Sequence, residues 1–367
     1  MPKRQLRPQP DGHHTAKRRN KNQQQQHPPP PTQRHLYLVV DDWERGYSVR
    51  KIDVDAFCEC NLQGEVAPEP EPEPLHEPPA VRFEGHHGRL RFFGAHGTKI
   101  LALPAYGATD FPVYDTETLG ITLCSHPAGH KVCGPPVLVS VAGMLYMLVE
   151  CSLAMLGAPP PPNSDENKTW AWTFMPEHLP FEASYVKSLA VHPDGWTLFV
   201  SAKGKTFSLN TNSLKWTCRG NWVMPFSGEA YFDEELDVWV GLCIHADGFG
   251  RVCCCDAMPV AADAECQTML AWKLGQEQLF YADRKRHLGA TLLSMGDSRY
   301  CLLECVAHED QAGKDYAAHR VYHVTTFRLK YDKDGELRTS RRLARSYEMT
   351  DAHELNESYK RPVAFWM

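Results

Sequence analysis

The chain has 367 residues, of which 43 % are hydrophobic and 23 % charged, and a formal charge of −6. That length supplies a sizeable core in one large domain or two ordinary ones, with the composition of an ordinary globular protein. No window reaches the roughly 18 apolar residues of a spanning helix, since the longest apolar run, 135–148, is shorter and interrupted by Pro, Ser and Gly.

The charge is unevenly placed. Residues 1–34 hold eight Lys or Arg against one Asp, a charge of +7, which leaves −13 on the other 333 residues. An acidic body excludes nucleic-acid binding through a broad basic face, because that affinity comes mainly from phosphate neutralisation; only the arm offers such a contact. The first 30 residues lack the apolar stretch of a secretory signal, and an odd count of 13 Cys beside it predicts reduced thiols in the cytosol or nucleus. The sequons at Asn167 and Asn356 are silent there.

Residues 1–34, with Gln23 to Gln26 and Pro28 to Pro31, cannot bury enough surface to offset their ordering entropy and are expected to be disordered. Within them Lys3-Arg4 and Lys17-Arg18-Arg19-Asn20-Lys21 stand twelve residues apart. This spacing resembles a bipartite nuclear-import signal read by an import receptor through Lys3, Arg4, Lys17, Arg18, Arg19 and Lys21. The competing reading is a solvated basic tail.

Residues 35–367 are expected to form one domain with Pro-rich insertions at 61–79 and 157–168. The first insertion includes Pro68-Glu69-Pro70-Glu71-Pro72-Glu73-Pro74, which removes backbone donors, adds like-charge repulsion and predicts an extended, solvated loop. Between the insertions the chain reads as short strands and tight turns. An N-terminal hairpin is predicted at 36–40 and 47–54. A set follows at 90–93, 98–103, 112–114 and 119–123, and another at 137–141, 144–150 and 169–174. The clearest is the meander 187–218, turned by His192-Pro193-Asp194-Gly195, Lys203-Gly204 and Asn210-Thr211-Asn212, with Trp196 taken as the start of its second strand. Further sets lie at 229–232, 238–243, 251–255 and 268–272, and at 288–294, 299–305, 321–329 and 336–343, with a last strand at 362–366. Only 261–271 and 351–360 suit short helices.

One internal match supports repetition. Asp115-Thr116-Glu117-Thr118-Leu119-Gly120-Ile121 aligns with Asn210-Thr211-Asn212-Ser213-Leu214-Lys215-Trp216, 95 residues later and about two propeller-blade periods away. An all-β chain built of four-strand units predicts a β-propeller of about six blades, five of them clearly visible, with the sixth closed by pairing the N- and C-terminal strands. A pair of β-sandwiches is the alternative.

The stretch His35-Leu36-Tyr37-Leu38-Val39-Val40-Asp41-Asp42-Trp43-Glu44-Arg45-Gly46-Tyr47-Ser48-Val49, with Thr98–Leu103 and Val113–Leu119, resembles a plant, chiefly grass-expanded, family of unknown function. The resemblance covers most of 35–345 in strand rhythm and implies a kelch-like propeller. The chain departs from kelch repeats in lacking a double-Gly signature in blade after blade, and it shows no F-box-like helical segment. The family supplies no catalytic residues.

Chemistry-bearing motifs are few. Cys253-Cys254-Cys255 falls on a predicted strand, which puts Cys253 and Cys255 on one face and Cys254 on the other. Cys301 with Cys305 and Cys58 with Cys60 approach zinc-ligand spacing, but neither has a second pair, so buried thiols fit better and no metal site is assigned. The 18 His are scattered, and no H-E-x-x-H, G-x-S-x-G, P-loop or G-x-G-x-x-G occurs. No catalytic, cofactor-binding or cofactor-requiring site is assigned, and most Trp are expected in the core between blades. The expectation is a non-enzymatic interaction scaffold in the nucleus or cytoplasm, with other proteins as partners and no membrane contact. An enzyme built from loops at the propeller axis is the alternative, and nucleic-acid association through the tail is a second.

Overall fold

The computed structural model describes residues 33–57, 71–76, 78–85, 91–104, 110–125, 134–160, 170–260, 271–280, 285–308, 319–349 and 361–367. The tail 1–32, most of both Pro-rich insertions and nearly all of the two candidate helices lie outside these residues. From Arg34 onward the chain is one compact unit.

Strands β1 (Leu36–Trp43) and β2 (Gly46–Ile52) form the N-terminal hairpin, followed by the two-residue β3 (Glu73–Pro74) and by β4 (Val81–Glu84). Next come β5 (Arg91–His96), β6 (Lys99–Pro104), β7 (Asp110–Asp115) and β8 (Ile121–Ser125), then β9 (Val137–Val141), β10 (Met144–Val149), β11 (Ser152–Leu156) and β12 (Thr173–His178). The meander comprises β13 (Val186–Val191), β14 (Thr197–Ala202), β15 (Lys205–Asn210) and β16 (Lys215–Gly220). It is followed by β17 (Gly228–Asp233), β18 (Val238–Leu242), β19 (Val252–Cys255) and β20 (Trp272–Leu274). The last set is β21 (His287–Gly296), β22 (Arg299–Ala307), β23 (Arg320–Tyr331) and β24 (Leu337–Met349), before the closing strand β25 (Val363–Trp366).

These strands make six four-stranded blades. Blade 1 has the order β25-β1-β2-β4, and blades 2 to 6 take the remaining sets in chain order. The innermost strands of blades 4 and 5 approach closely enough to pair in parallel (Ser188 opposite Gly228, Ala190 opposite Ala230), which joins those two blades into one eight-stranded sheet.

Closure of the ring is visible in the packing. Six apolar clusters form, and each joins two consecutive blades. Tyr37 and Phe83 of blade 1 meet Phe93 and Tyr114 of blade 2, Phe111 meets Met147 of blade 3, and Leu148 meets Leu198 of blade 4. Phe199 then meets Trp239 of blade 5, Val240 meets Tyr300 of blade 6, and Leu303 and Tyr322 return to Leu36, Leu38 and Ala364 of blade 1. An open stack would leave its two end faces bare. Here the sixth cluster covers them, as expected of a propeller. The covalent ends meet in blade 1: β25 pairs antiparallel with β1, Leu36 opposite Trp366, and His35 and Met367 exchange backbone bonds of 2.7 and 3.1 Å.

Burial on both faces also explains one departure from the sequence reading. Strand β14 is buried along its whole length, with Leu198 and Val200 facing blade 3 and Phe199 facing blade 5, so its pattern is apolar rather than alternating. Trp196 is not part of it. The side chain sits in the preceding turn and is 46 % exposed, because Asp194 accepts from the amides of Trp196 (3.0 Å) and Thr197 (2.9 Å) and holds Trp196 outside the strand. Three strands, β3, β4 and β11, have no sequence counterpart. Part of the Pro–Glu insertion is also more ordered than a solvated loop: Glu73 and Pro74 pair in parallel with Tyr347 and Glu348 of β24, and Arg345 Nε bonds Glu73 Oε1 at 3.1 Å.

The internal sequence match is a structural repeat. Both copies form the outer hairpin turn of a blade, blade 2 for 115–121 and blade 4 for 210–216. Asp115 Oδ1 accepts from Glu117 N at 3.0 Å, as Asn210 Oδ1 does from Asn212 N at 3.0 Å. Thr116 and Thr211 hydroxyls donate to Thr98 O and Trp196 O, and Leu119 and Leu214 share a positive φ of 58° and 55°. The copies differ in charge. Burial alone would raise the Asp115 carboxyl, but Lys99 Nζ at 2.5 Å and the turn amides outweigh it and hold the group at about 2, below its ordinary 3.8. Asp115→Asn gives blade 2 the turn chemistry of blade 4 and removes only the ion pair. It is expected to cost about 1 kcal/mol at neutral pH, since Asn keeps the turn bonds that supply the rest of the shift. A depressed carboxyl stabilises fully above its unfolded value, so the cost persists down to about pH 3.8 and fades as pH falls through about 2. Denaturant melts of both proteins at neutral pH and near pH 3 test this; a difference that does not shrink on acidification refutes it.

Candidate functional site

The innermost strands enclose an axial cavity of about 350 Å³ lined by residues of β5, β9, β17, β21 and β25. Its polar lining concentrates at one side. Arg361, just before β25, bonds Ser227 Oγ through Nη2 at 2.7 Å and lies over Gly228, where any side chain would strike the guanidinium. One strand position further, Glu229 Oε2 accepts the Tyr231 hydroxyl at 3.1 Å. Glu229 is exposed to water within the cavity, with the channel walls packed around it. Desolvation by those walls pushes the Glu229 carboxyl up, and the Tyr231 hydroxyl draws it part of the way back. Glu229 is the sole acidic side chain in the lining, which contains no His. Among the described residues the titrating group within hydrogen-bond reach of it is the Tyr231 hydroxyl, which burial and the Glu229 carboxylate push well above its ordinary range.

A second feature lies at the periphery. Of the five large hydrophobic side chains exposed among the described residues, three adjoin one another on blade 2: Leu119 (69 %), Ile121 (61 %) and Leu123 (62 %). Ile121 and Leu123 belong to β8, the outermost strand, and Leu119 to the turn that leads into it. Register decides which backbone groups face out. Leu123 stands opposite Pro112 of β7, which has no amide to donate, so this is a non-bonded pair and the Leu123 amide and carbonyl point away from the blade. Ser125, two residues on, shows the same outward direction: its amide bonds Trp170 O at 2.9 Å and its carbonyl accepts from Trp172 N at 3.1 Å. Among the described residues the outward groups of Ile121 and Leu123 have no such backbone partner. Among the described residues the edge therefore combines outward amides that have no backbone partner with apolar side chains.

The sequence-predicted chemistry falls elsewhere. The import-signal residues Lys3, Arg4, Lys17, Arg18, Arg19 and Lys21 lie outside the described residues. Cys253 and Cys255 pack between blades 4 and 5, and Cys254 faces blade 6 with Sγ 3.5 Å from the Tyr331 hydroxyl, the two-faced arrangement a strand imposes. Burial pushes the Cys255, Cys301 and Cys305 thiols up to about 12 and Cys253 further still, so these are packing groups rather than nucleophiles. Of the nine Trp, Trp170, Trp172, Trp222 and Trp239 are buried in the core, and Trp216, Trp272 and Trp366 pack against it partly buried. No helix among the described residues is long and apolar enough to cross a membrane.

The sequence profile of a family described as "Protein of unknown function (DUF1668)" matches residues 33–347. The chain belongs to this family. A DUF1668 protein inherits no residue roles from that description, and no curated protein matches the chain. Solved structures are similar at low identity. The Kluyveromyces lactis Hsv2 structure is 7 % identical with a TM-score of 0.39, over 84 % of this chain and 98 % of that one. The Cps50 (Swd1) β-propeller domain of Myceliophteria thermophila is 10 % identical with a TM-score of 0.30, over 62 % and 65 %. Kuenenia stuttgartiensis hydrazine synthase is 8 % identical with a TM-score of 0.34, over 66 % of this chain and 62 % of its own length. Likenesses this distant leave the propeller to be read from strand order and inter-blade packing.

The channel carboxylate gives a direct test of its surroundings. Glu229 is expected to titrate above its ordinary 4.5, and Tyr231→Phe, which deletes the hydroxyl that favours the ionised form, is expected to raise it further. Carboxyl-carbon NMR, with the resonance assigned through Glu229→Gln, measures both. A downward shift in Tyr231→Phe overturns the assignment of that hydrogen bond.

Proposed function

We propose that this DUF1668 propeller is a non-enzymatic protein-interaction scaffold, and that the outer edge of blade 2 takes an extended, apolar segment of a partner protein as a fifth strand. The observation that carries the reading is the coincidence, on β8 and the turn leading into it, of outward amides with the exposed Leu119, Ile121 and Leu123. Strand addition draws affinity from main-chain bonds and selectivity from alternate side chains. Covering three such side chains contributes on the order of 4 kcal/mol before ordering costs. An exposed apolar edge is normally a liability that proteins cover or charge, which favours a use for this one. The enzyme reading lacks a comparable support, since the channel offers a single acidic side chain without a His.

The kelch-like type and the grass-expanded plant membership implied by residues 35–49 belong to the same proposal. So does nuclear import through Lys3, Arg4, Lys17, Arg18, Arg19 and Lys21: removal of residues 1–34 is expected to abolish nuclear accumulation on cell fractionation, and unchanged nuclear recovery refutes it.

Leu123→Pro isolates the edge. Proline there removes an outward donor and leaves every β7–β8 bond in place, so the protein is expected to melt within a few degrees of the parent. Tagged full-length protein, Leu123→Pro, Ile121→Lys and Arg361→Ala are compared for co-purifying proteins and for mass in solution. The expected result is a reproducible partner lost from both edge variants and kept by Arg361→Ala. Identical partner sets in all four proteins, loss confined to Arg361→Ala, or a dimer that both edge variants convert to monomer would each overturn the reading.

A further inference from the structure

Blade 6 brings together three side chains that the sequence keeps far apart. His308 follows the last residue of β22 and His319 precedes the first residue of β23, so they stand at the two feet of one loop, and the His308 amide donates to His319 O at 2.9 Å. This extends the β22–β23 ladder by one pair beyond Ala307 and Arg320. The two imidazoles stack face to face, with centroids 3.8 Å apart and planes 9° from parallel. Glu348, near the end of β24, reaches across the blade, and its Oε1 lies 2.6 Å from His319 Nε2. One donor atom from each of the three residues lies within 4.8 Å of the others, and all three side chains are half-buried.

The surroundings hold this arrangement in place. On its outer side β24 is paired with β3, Glu348 standing opposite Pro74, so the strand that carries the carboxylate is fixed on both edges. The adjacent cation, Arg320, is matched by Asp41 at 3.3 Å and does not oppose a positive ligand. Two imidazoles and one carboxylate are a donor set for a borderline divalent ion; with three protein ligands, such a site keeps a coordination position open. In zinc sites donors lie about 2.0–2.2 Å from the ion, which places them about 3.4 Å from one another. The donors now lie within 4.8 Å of one another, with His319 and Glu348 at 2.6 Å, so side-chain adjustment brings them to that spacing while the ladder holds the backbone.

We propose that His308, His319 and Glu348 bind a divalent transition-metal ion of the zinc class, held between the two feet of the β22–β23 loop and β24. The site is independent of the blade 2 edge, and the cysteines take no part in it.

Full-length protein is stripped with a chelator and titrated with Co²⁺, read by visible absorption, and with Zn²⁺, read by calorimetry. One ion per chain is expected, with the absorption of a tetrahedral or five-coordinate nitrogen–oxygen site and no thiolate-to-metal charge-transfer band. Affinity is expected to fall at least about tenfold in each of His308→Gln, His319→Gln and Glu348→Gln. Glu348→Gln preserves shape and hydrogen bonding and decides the matter if either His variant fails to fold. Absence of stoichiometric binding, a thiolate band pointing to the cysteines, or binding unchanged in Glu348→Gln would each overturn the proposal.

Discussion

The pairing of β25 with β1 is the constraint on which the rest of this fold depends. Each blade has two apolar faces and covers one with the blade before it and one with the blade after, so no blade satisfies its own core. With six blades the arrangement is complete only if the last meets the first, and the cluster that joins Leu303 and Tyr322 to Leu36, Leu38 and Ala364 exists because the chain ends share a sheet. Closing a loop over some 330 residues is entropically tolerable because the cost grows only with the logarithm of its length. The gain is the removal of two bare sheet faces.

The same two-sided burial determines what the sequence makes legible. Turns announce themselves through chemistry confined to a few residues: Asp194 with Gly195, Asn210 with Thr211, Asp115 with Thr116 all bond their own backbone, and strand rhythm follows from them. Faces do not announce themselves, because a strand buried on both sides carries no alternation, and β14 is the plain case. Strand β11 was hidden for a related reason. The turn before it places Glu150 at a φ of 49° with neither Gly nor Pro, so no turn residue marks a second strand after the one predicted at 144–150. Strand β4 was isolated from its hairpin by the Pro-rich insertion, and Trp196, apolar and next to a strand, gave no sign that an Asp side chain would hold it outside.

The candidate sites were less legible still. Leu119, Ile121 and Leu123 look like any strand in the sequence; their exposure follows from β8 being outermost, a property of sheet order. His308 and His319 stand eleven residues apart and Glu348 another 29, spacings that match no ligand motif. Strand register brings them together, since Val321 lies opposite Glu348 and Ala307 opposite Arg320.

Sheet order also explains why the two proposed sites lie on outer strands. Inner and middle strands are committed to packing, and even their charged groups serve it: Asp233 of blade 5, buried, takes the Ser298 and Tyr300 hydroxyls of blade 6 at 2.7 and 2.9 Å. Changing such residues breaks an interface. The outermost strands have one sheet neighbour each and must deal with a free edge. Among the described residues they do so differently. β24, the longest, is capped by β3; β12 ends in Pro176, Glu177 and His178, all exposed; β16 carries Lys215 and Thr217. β8 has neither cap nor charge over Ile121 to Leu123. Among the described residues the covered or charged edges of β24, β12 and β16 contrast with β8, where apolar side chains stand exposed on an outer strand, and the proposed strand addition rests on that contrast.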